Sequence, residues 1–527
     1  MNEKGLLQQT YDAIPRQAKT AFFSCVIVGF LTHLFAFTNI IPNSDGLSRI
    51  FDEQQMTISG RWFLHYASMF HGYVQAPALI GALSLLFLGL AAGMTADVLK
   101  LRSPLASALC GAMLAVFPAV AYTYLYMFTA SAYAFAISLA VLSVWITRNY
   151  PKFFPLAAIF LACAVGTYQA YFAVAASLAL SCVILDLLDG KVPVKKIIRE
   201  GIRTLGMLAL GAVAYYVILR VFLFVKDLEL LSYRGIDSVG SGLSLGGIVG
   251  MVIDTYRSFL YFFLIPGSSR YNTQVLVVMH LVLMAAAILS ALTPAAQNKL
   301  YRQPLRVSLL VVGCGLLPLA CNFTQLLSES TAIMRYAFAF AYVLAIALVD
   351  RLPQTQSRLG KPLKIASCAA AMVILLLFAQ ISNIAYTASA TAHRATERFS
   401  TNLVGRVEAT EGYENGMEVV IIGTFPDDVY YSDIEAFELV EHYSCMSSSV
   451  MQLNKHVYYY LNDWLNVPWQ EPDEETFLSV SQSDVFQSMP LYPSDGSVLI
   501  IDGKVVVKLA EEYIPKQDYE IAYDERK

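Results

Sequence analysis

The chain has 527 residues, of which 57% are hydrophobic and only 14% are charged, and its formal net charge is −4. This composition excludes an ordinary soluble globular protein, in which about 25% of the residues are charged. The near-neutral charge and the lack of a basic tract interleaved with aromatic residues also exclude nucleic acid as a partner. Lipid is therefore the expected solvent for most of the chain.

Long apolar runs recur through residues 21–386, whereas residues 387–527 have the composition of a soluble domain. Each run approaches the roughly 20 residues that a helix needs to cross about 30 Å of hydrocarbon. The sequence therefore predicts an α-helical polytopic membrane protein with a short N-terminal segment (1–20), a transmembrane domain (21–386) and a C-terminal domain (387–527). The eleven predicted spans are residues 21–41, 77–97, 104–122, 126–147, 153–167, 170–187, 204–225, 274–293, 306–325, 334–350 and 364–386.

Lysine and arginine residues concentrate in the loops on one side of the predicted bundle. Loops of this kind remain in the cytoplasm, so this side is expected to be cytoplasmic. Eleven spans then place the N-terminal segment in the cytoplasm and the C-terminal domain outside it. The basic residues of the predicted cytoplasmic loops are Lys4, Arg16, Lys19, Lys100, Arg102, Arg148, Lys152, Lys191, Lys195, Lys196, Arg199, Arg203, Lys299, Arg302, Arg306, Arg351, Arg358, Lys361 and Lys364.

The C-terminal domain is predicted to be a small α/β module. A polar helical stretch at 391–407 precedes a buried-strand pattern at 417–423, and Asp502-Gly503 lies between two apolar runs, which is a strong hairpin signal. Its middle part is rich in aromatic residues. These favour either contact with carbohydrate or packing and anchoring at the membrane interface. They are Tyr430, Tyr431, Tyr443, Tyr458, Tyr459, Tyr460, Trp464 and Trp469.

The first external loop carries the most informative acidic residue, Asp45. It follows the first predicted span, near the level of the lipid phosphates. A carboxylate there can act as a general base on an acceptor hydroxyl, while a nearby arginine such as Arg61 can stabilise a phosphate leaving group. Alternatively, Asp45 caps a short interfacial helix that runs from Gly46 to Gln55. The residues alone leave both interpretations open.

Three short motifs resemble the type II glucosyltransferase family of bacterial O-antigen modification, a branch of the C-type glycosyltransferases. They are Ser44-Asp45-Gly46, Ser59-Gly60-Arg61-Trp62 and the Gly-Thr-Tyr-Gln-Ala-Tyr hexapeptide at 166–171. The resemblance covers roughly residues 15–385. It implies a multispan enzyme of the bacterial plasma membrane that uses a polyprenyl-phosphate sugar donor, with Asp45 as the essential acid. A second acid, where the superfamily has a pair, would be Asp52 or Glu53.

Further external arginines are candidates for binding the donor phosphate. Arg234 and Arg257 lie in the long segment after the seventh span, where residues 243–266 have the pattern of an amphipathic helix. Arg335, followed by Tyr336, opens the tenth span, where an arginine is costly unless it faces a polar cavity. The arginine fork suits a phosphate. The alternative at each position is a side chain that snorkels to the lipid headgroups.

Tyr168 and Gln169 lie at the predicted external turn between two short spans, where they can reach a sugar hydroxyl. A turn residue that only faces solvent has the same pattern. Within the spans, His33 and His280 are isolated, which is typical of an interhelical hydrogen bond and not of a metal site. No metal ligand set is predicted.

Together with the resemblance, these features predict transfer of a hexose, glucose by the resemblance, from a polyprenyl-phosphate donor to a cell-surface glycan. Asp45 is the predicted catalytic base. The predicted donor-phosphate ligands are Arg61, Arg234, Arg257 and Arg335, and the predicted substrate contacts are Tyr168, Gln169, Asp52 and Tyr336. A divalent cation (Mg²⁺ or Mn²⁺) is compatible with the reaction, but a phosphate leaving group does not require one.

The alternative function is a lipid-linked sugar flippase or polysaccharide exporter. A transporter is expected to carry charged residues near the membrane midplane and often contains an internal repeat. Here the charges outside the predicted cytoplasmic loops gather at the outer face and not near the midplane, and the sequence contains no recognisable repeat.

Overall fold

The computed structural model describes residues 11–48, 50–190, 192–230, 245–327, 330–352, 360–425, 433–440, 451 and 453–515. The chain forms two compact units. The first contains the chain up to Asn39 together with Glu53–Asn383, and the second contains Ile40–Asp52 and the chain from Ile384 onward. The sequence-based division at residue 387 placed the 40–52 loop in the transmembrane domain, whereas the structure groups this loop with the C-terminal part.

The first unit is helical. Proline in the first turn begins α3, α4, α5, α7 and α12, where its missing N–H would have no helical partner. The helices are α1 Arg16–Thr38, α2 Leu64–Ser68, α3 Pro77–Val98, α4 Pro104–Val116, α5 Pro118–Leu125, α6 Met127–Asn149, α7 Phe154–Thr167, α8 Phe172–Asp189, α9 Val194–Val225, α10 Leu245–Leu264, α11 Gln274–Gln297, α12 Pro304–Cys321, α13 Ala339–Asp350 and α14 Gly360–Glu408, which continues into the second unit.

Polar contacts identify the two ends of this helix bundle. At one end, which we call the basic end, Arg148 at the end of α6 pairs with Asp186 near the end of α8 at 2.6 Å. There Arg306 at the start of α12 donates a hydrogen bond to the Leu187 carbonyl. The helix termini that meet here carry the arginines predicted to be cytoplasmic.

The opposite end is defined by contacts between other helix termini. The Phe63 N–H, just before α2, donates to the carbonyl of Gly166 at the end of α7 (2.8 Å). The Asn383 amide of α14 donates to the carbonyl of Thr32 in the last two turns of α1 (3.0 Å). The chain therefore leaves the first unit at the opposite end.

Tracing the chain between these ends gives eleven crossings within the described residues. They confirm the predicted number of spans. The crossing segments are α1, α3, α4 with α5, α6, α7, α8, α9, α11, α12, the short 3₁₀ helix Ala332–Phe338 with α13, and α14. Ten of them are long and apolar enough to span a membrane, and α7 is a shorter apolar helix.

Helix α10 does not cross the bundle, although it is long and apolar enough to span a membrane. Helix α9 starts at the basic end and therefore finishes at the opposite end. Helix α11 finishes at the basic end, where the Asn298 amide donates to the Leu188 carbonyl (3.1 Å), so it starts at the opposite end. Because α10 joins two termini on the same side, it matches the amphipathic helix predicted at 243–266.

Small residues bring α1 close to α3 and α4. A Cβ added at Gly111 would lie 2.1 Å from the Ala21 carbonyl oxygen, and one added at Gly81 would lie 2.3 Å from the Phe37 ring. Close backbone approach of this kind is a common way for helices to associate in lipid, where the hydrophobic effect does not drive packing.

The second unit contains a three-stranded sheet with strands β1 Val419–Ile422, β2 Val498–Ile501 and β3 Lys504–Lys508. The strand order is β1-β3-β2, with β1 parallel and β2 antiparallel to β3. Asp502 and Gly503 form the tight β2–β3 turn with φ values of 49° and 77°, which confirms the predicted hairpin. The same unit contains helices α15 Asn454–Tyr459, α16 Glu474–Ser481 and α17 Asp484–Ser488, a short 3₁₀ helix Glu435–Val440 and a π-helical turn Tyr460–Trp464.

The core of this unit includes the predicted aromatic segment. Tyr458 and Tyr460 are fully buried, so these two rings serve packing. Tyr430, Tyr431 and Tyr443 lie outside the described residues.

The 40–52 loop is anchored in the same core. Leu47 is completely buried beside Leu403 and Val407 of α14, and its carbonyl accepts a hydrogen bond from the Trp464 indole (2.8 Å). The span predicted at 364–386 and the polar helix predicted at 391–407 are parts of one helix, α14.

Candidate functional site

Asp45 lies in a 3₁₀ turn formed by Ser44–Gly46 within the second unit. The side chain of Asn43 caps this turn by accepting the Gly46 N–H at 2.7 Å, while Asp45 itself is exposed. None of the described residues between Leu47 and Met56 is helical. The alternative interpretation of Asp45 as the cap of a 46–55 helix is therefore wrong, because Asn43 does the capping and that helix does not form.

Asp52, the other acid predicted in this loop, is half-buried in the second unit. Glu53 belongs to the first unit, where its carboxylate accepts a hydrogen bond from the Gln55 amide (2.7 Å). The two residues considered as a second acid thus have different surroundings, and only Asp52 shares a unit with Asp45.

The Ser-Gly-Arg-Trp motif is held in place at the opposite end of the first unit. Gly60 has φ +79° and follows a short 3₁₀ turn, Thr57–Ser59. The Gln169 amide donates to the Ser59 carbonyl (2.9 Å), and the Tyr215 hydroxyl donates to the Gly60 carbonyl (3.2 Å). A Cβ at Gly60 would lie within 2.6 Å of the Gln169 amide and 2.7 Å of the Tyr215 hydroxyl, so both conformation and space require glycine.

The same motif packs directly against the turn at 166–171. The Trp62 ring lies so close to Gly166 that a Cβ there would be 2.5 Å away, and Trp62 stacks on Phe222 of α9 at 5.7 Å. Two motifs that are about a hundred residues apart in the sequence therefore form a single structural feature. Their packing explains why they need glycine at 60 and 166.

Arg61 is placed over a layer of tyrosine rings. Its guanidinium lies 5.0 Å from the centre of the Tyr168 ring, a cation–π arrangement, and Tyr168 stacks on Tyr133 at 4.6 Å. Tyr171 meets both rings edge-on. Stacking on a rigid aromatic layer holds the planar guanidinium in one orientation, which favours bidentate recognition of an anion. We call Arg61, Tyr133, Tyr168, Tyr171, Gln169 and Tyr215 the arginine–tyrosine cluster.

Within this cluster, Tyr168 and Gln169 have roles that the sequence did not predict. Tyr168 is 4% exposed and supports Arg61. The Gln169 amide is engaged with Ser59 and Tyr215, so it positions the motif that carries Arg61. Their contact with substrate stays a prediction.

Arg335 and Tyr336 lie in the 3₁₀ helix Ala332–Phe338, which packs beside the Gln169–Tyr171 turn. Arg335 donates from Nε to the Ser330 hydroxyl (3.2 Å) and from a terminal nitrogen to the Ser330 carbonyl (2.9 Å). The buried Tyr336 hydroxyl donates to the Leu114 carbonyl (2.9 Å). Arg335 is thus a half-buried, fixed cation near the cluster, whereas Tyr336 joins this helix to α4.

The structure does not bring Arg257 into this group. Arg257 lies on α10, is largely exposed and pairs with Asp254 at 3.7 Å. Arg234 lies outside the described residues. No cluster of three or more metal-ligating side chains occurs in the described part of the chain.

Sequence reasoning missed Asn43, Tyr133 and Tyr215. Tyr133 and Tyr215 fall inside apolar helical runs, where a tyrosine has the same pattern as a packing residue. Asn43 precedes the Ser-Asp-Gly motif, and its residue type favours a cap. That signal was available in the sequence.

A family model described as Glucosyl transferase GtrII matches residues 34–349, which is more than half of the chain. The chain belongs to the GtrII glucosyl transferase family. The matched region contains Asp45, the arginine–tyrosine cluster and Arg335, and it ends before α14. No curated protein and no solved structure matches the chain.

Proposed function

We propose that this GtrII-family protein transfers a hexosyl group, with glucose as the expected sugar, from a polyprenyl-phosphate carrier to a surface glycan. The transfer takes place at the extracytoplasmic face of a bacterial plasma membrane. The observation that carries the proposal is the orientation of Arg61 over Tyr168, within a region that matches a glucosyl transferase family. A lipid phosphate needs a cation of this kind near the membrane surface.

In the proposed reaction the Asp45 carboxylate takes the proton from an acceptor hydroxyl. The hydroxyl oxygen attacks the anomeric carbon as the bond from that carbon to the phosphate oxygen breaks. The polyprenyl phosphate leaves with the bonding electron pair, and the configuration at the anomeric carbon inverts. Arg61 and Arg335 stabilise the negative charge that develops on the phosphate. The reaction does not require a divalent cation to stabilise the leaving phosphate, although one is compatible with it.

Two observations support the proposed roles of Asp45 and Arg335. Asp45 is exposed at a turn that Asn43 holds, so its carboxylate is not required for the cap. Arg335 is fixed by two hydrogen bonds to Ser330, which lowers the entropy lost when it binds an anion. Asp52 and Tyr336 remain proposed substrate contacts, and Arg234 and Arg257 remain proposed secondary phosphate ligands.

The proposed orientation rests on charge. The basic end carries Arg102, Arg148, Arg306 and Arg351, and such residues are retained on the cytoplasmic side. The arginine–tyrosine cluster at the opposite end then faces outward. A flippase or exporter is the rival function, but the described part of the bundle concentrates its ion pairs at the basic end, not at mid-depth.

The deciding experiment measures transfer by the purified full-length protein from radiolabelled glucosyl-phosphopolyprenol to crude surface glycan. Asp45→Asn keeps the shape of the side chain but removes the base, so transfer should fall by roughly 10²- to 10⁴-fold. Asp227→Asn, at an exposed aspartate after α9, is the matched control and should keep parental activity. Full turnover by Asp45→Asn would refute the role of Asp45 as the base. If the parent protein does not transfer glucose from this donor, the proposed reaction is wrong.

A further inference from the structure

The second unit contains a cleft of about 620 Å³ between two segments of chain. One wall is the stretch from Glu408 at the end of α14 to Val419 at the start of β1, and the other is the loop 466–471. A volume of this size is within the range of small-molecule sites.

The cleft combines aromatic and amide side chains. Tyr413 is half-buried and contributes an aromatic ring, and Trp469 lines the cleft with only 6% of its surface exposed. The exposed Asn415, Asn466 and Gln470 contribute amides that can both donate and accept hydrogen bonds. A sugar ring presents an apolar face of C–H groups and an edge of hydroxyls, each of which is a donor and an acceptor. This mixture of groups is complementary to a carbohydrate.

Backbone contacts fix both walls. In the loop, the N–H of Val467 donates to the Leu461 carbonyl (2.8 Å), and the Asn462 amide donates to the Trp469 carbonyl (2.7 Å). On the other wall, the Val505 N–H donates to the Glu418 carbonyl (2.9 Å). A preformed cleft loses little conformational entropy when it binds a ligand.

An extended peptide is a poor candidate for this cleft, although β1 is at the edge of the sheet. The Tyr458 hydroxyl accepts the N–H of Ile421 (2.7 Å) and donates to the carbonyl of Val419 (3.1 Å). Both groups belong to residues of β1 whose backbone points away from β3. A peptide strand could not add to this edge without displacing Tyr458, which is buried in the core.

The charge of the lining further limits the classes of ligand that the cleft can bind. The charged side chains that line the cleft are all acidic, namely Glu408, Glu418 and Glu471. Lys504 pairs with one of them, Glu418. A lining whose charged side chains are all acidic disfavours ligands that carry phosphate, uronate or other anionic groups.

We propose that this cleft binds a neutral glycan and holds it as the acceptor. The second half of this statement rests on the proposed function, whereas the binding itself does not. The C-terminal unit, which lies outside the family match, would then select the glycan that receives the hexose.

The test measures fluorescence anisotropy of labelled oligosaccharides with the full-length protein in detergent, without donor. The probes are neutral α-glucan, β-glucan and galactan oligomers and, as the anionic comparison, an oligogalacturonate. The double variant Asn415→Ala/Gln470→Ala removes two exposed amides and should raise the Kd of the bound neutral oligomer roughly tenfold. The control double variant Asn402→Ala/Gln482→Ala removes two exposed amides outside the cleft lining and should bind like the parent.

Three results would overturn the proposal: no neutral oligomer binds, the Asn415→Ala/Gln470→Ala variant binds as tightly as the parent, or the oligogalacturonate binds best. Repeating the titration with Asp45→Asn separates the two proposals. Binding that persists while the parent shows no transfer would refute the proposed reaction and leave the glycan site in place. Transfer without any cleft-dependent binding would refute the proposed glycan site and leave the proposed reaction unaffected.

Discussion

Replacing Gly60 with alanine tests whether the arginine–tyrosine cluster is set by the backbone of the Ser-Gly-Arg-Trp motif. The substitution has two separable costs. An alanine at φ +79° costs about 1–2 kcal/mol in backbone strain. The new Cβ would also lie 2.6 Å from the Gln169 amide and 2.7 Å from the Tyr215 hydroxyl, so both must move.

Moving these two side chains breaks the hydrogen bonds from Gln169 to Ser59 and from Tyr215 to Gly60. At about 0.5–1.5 kcal/mol each, their loss adds about 1–3 kcal/mol and brings the total to roughly 2–5 kcal/mol. Because Arg61 follows directly, its guanidinium should shift as well, and misplacement by about 1 Å can lower the rate roughly 10²-fold.

Gly72→Ala is the matched control, because Gly72 also has a positive φ (+67°) but has open space around it. It should show only the strain of about 1–2 kcal/mol. The assay compares glucosyl transfer and the midpoint of thermal unfolding for both variants in the same detergent. Equal losses in the two variants would show that Gln169 and Tyr215 do not position Arg61.

Three further predictions address charge and protonation. Arg61→Lys and Arg335→Lys lose the planar fork and should raise the KM for the lipid donor or lower kcat. The control Lys226→Arg should have no effect. Unchanged transfer in both lysine variants would refute phosphate binding by Arg61 and Arg335. A reporter that is active only outside the cytoplasm should be active when fused after Tyr386 and silent at Lys196, and the reverse result would invert the orientation. Burial next to Ser131 lowers the pKa of His71 from 6.5 to about 4, so the unfolded state binds more protons between these values and stability should fall as pH drops from 6.5 to 4. The free energy of unfolding should fall by about 3 kcal/mol over this pH range, and His71→Gln should make this decrease smaller. If the unfolding midpoint depends on pH in the same way in both proteins, the pKa of His71 is not lowered by folding.

The sequence predicted the membrane fold well because its signals are local. Apolar runs of sufficient length define spans, and lysine and arginine alternate between loops, so the eleven crossings follow from counting. Helix α10 shows that length and apolarity alone do not identify a membrane span. It satisfies both criteria for a span, and only the positions of the Val225 and Gln274 termini show that it does not cross.

The arginine–tyrosine cluster was only partly predictable, because its contacts join distant parts of the chain. Arg61, Tyr168 and Gln169 could be selected as candidates from their loop positions. Nothing in a single sequence indicates that Tyr215, inside an apolar helix, donates to the Gly60 carbonyl. The role of Gln169 likewise depends on a contact 110 residues away and not on its own surroundings in the sequence.

The 40–52 loop shows how a proposed site residue can depend on a domain that its family motif does not include. Leu47, two residues after Asp45, is buried in the core of the second unit, and Trp464 holds its carbonyl. Asn43 fixes the turn from the other side. Leu403, Val407 and Trp464, which pack against Leu47 or bind its carbonyl, lie beyond the end of the GtrII match at residue 349, so side chains outside the match help to set the position of the proposed base. It follows that the C-terminal unit is more than an appended module, since removing it would expose Leu47 and release the turn that carries Asp45.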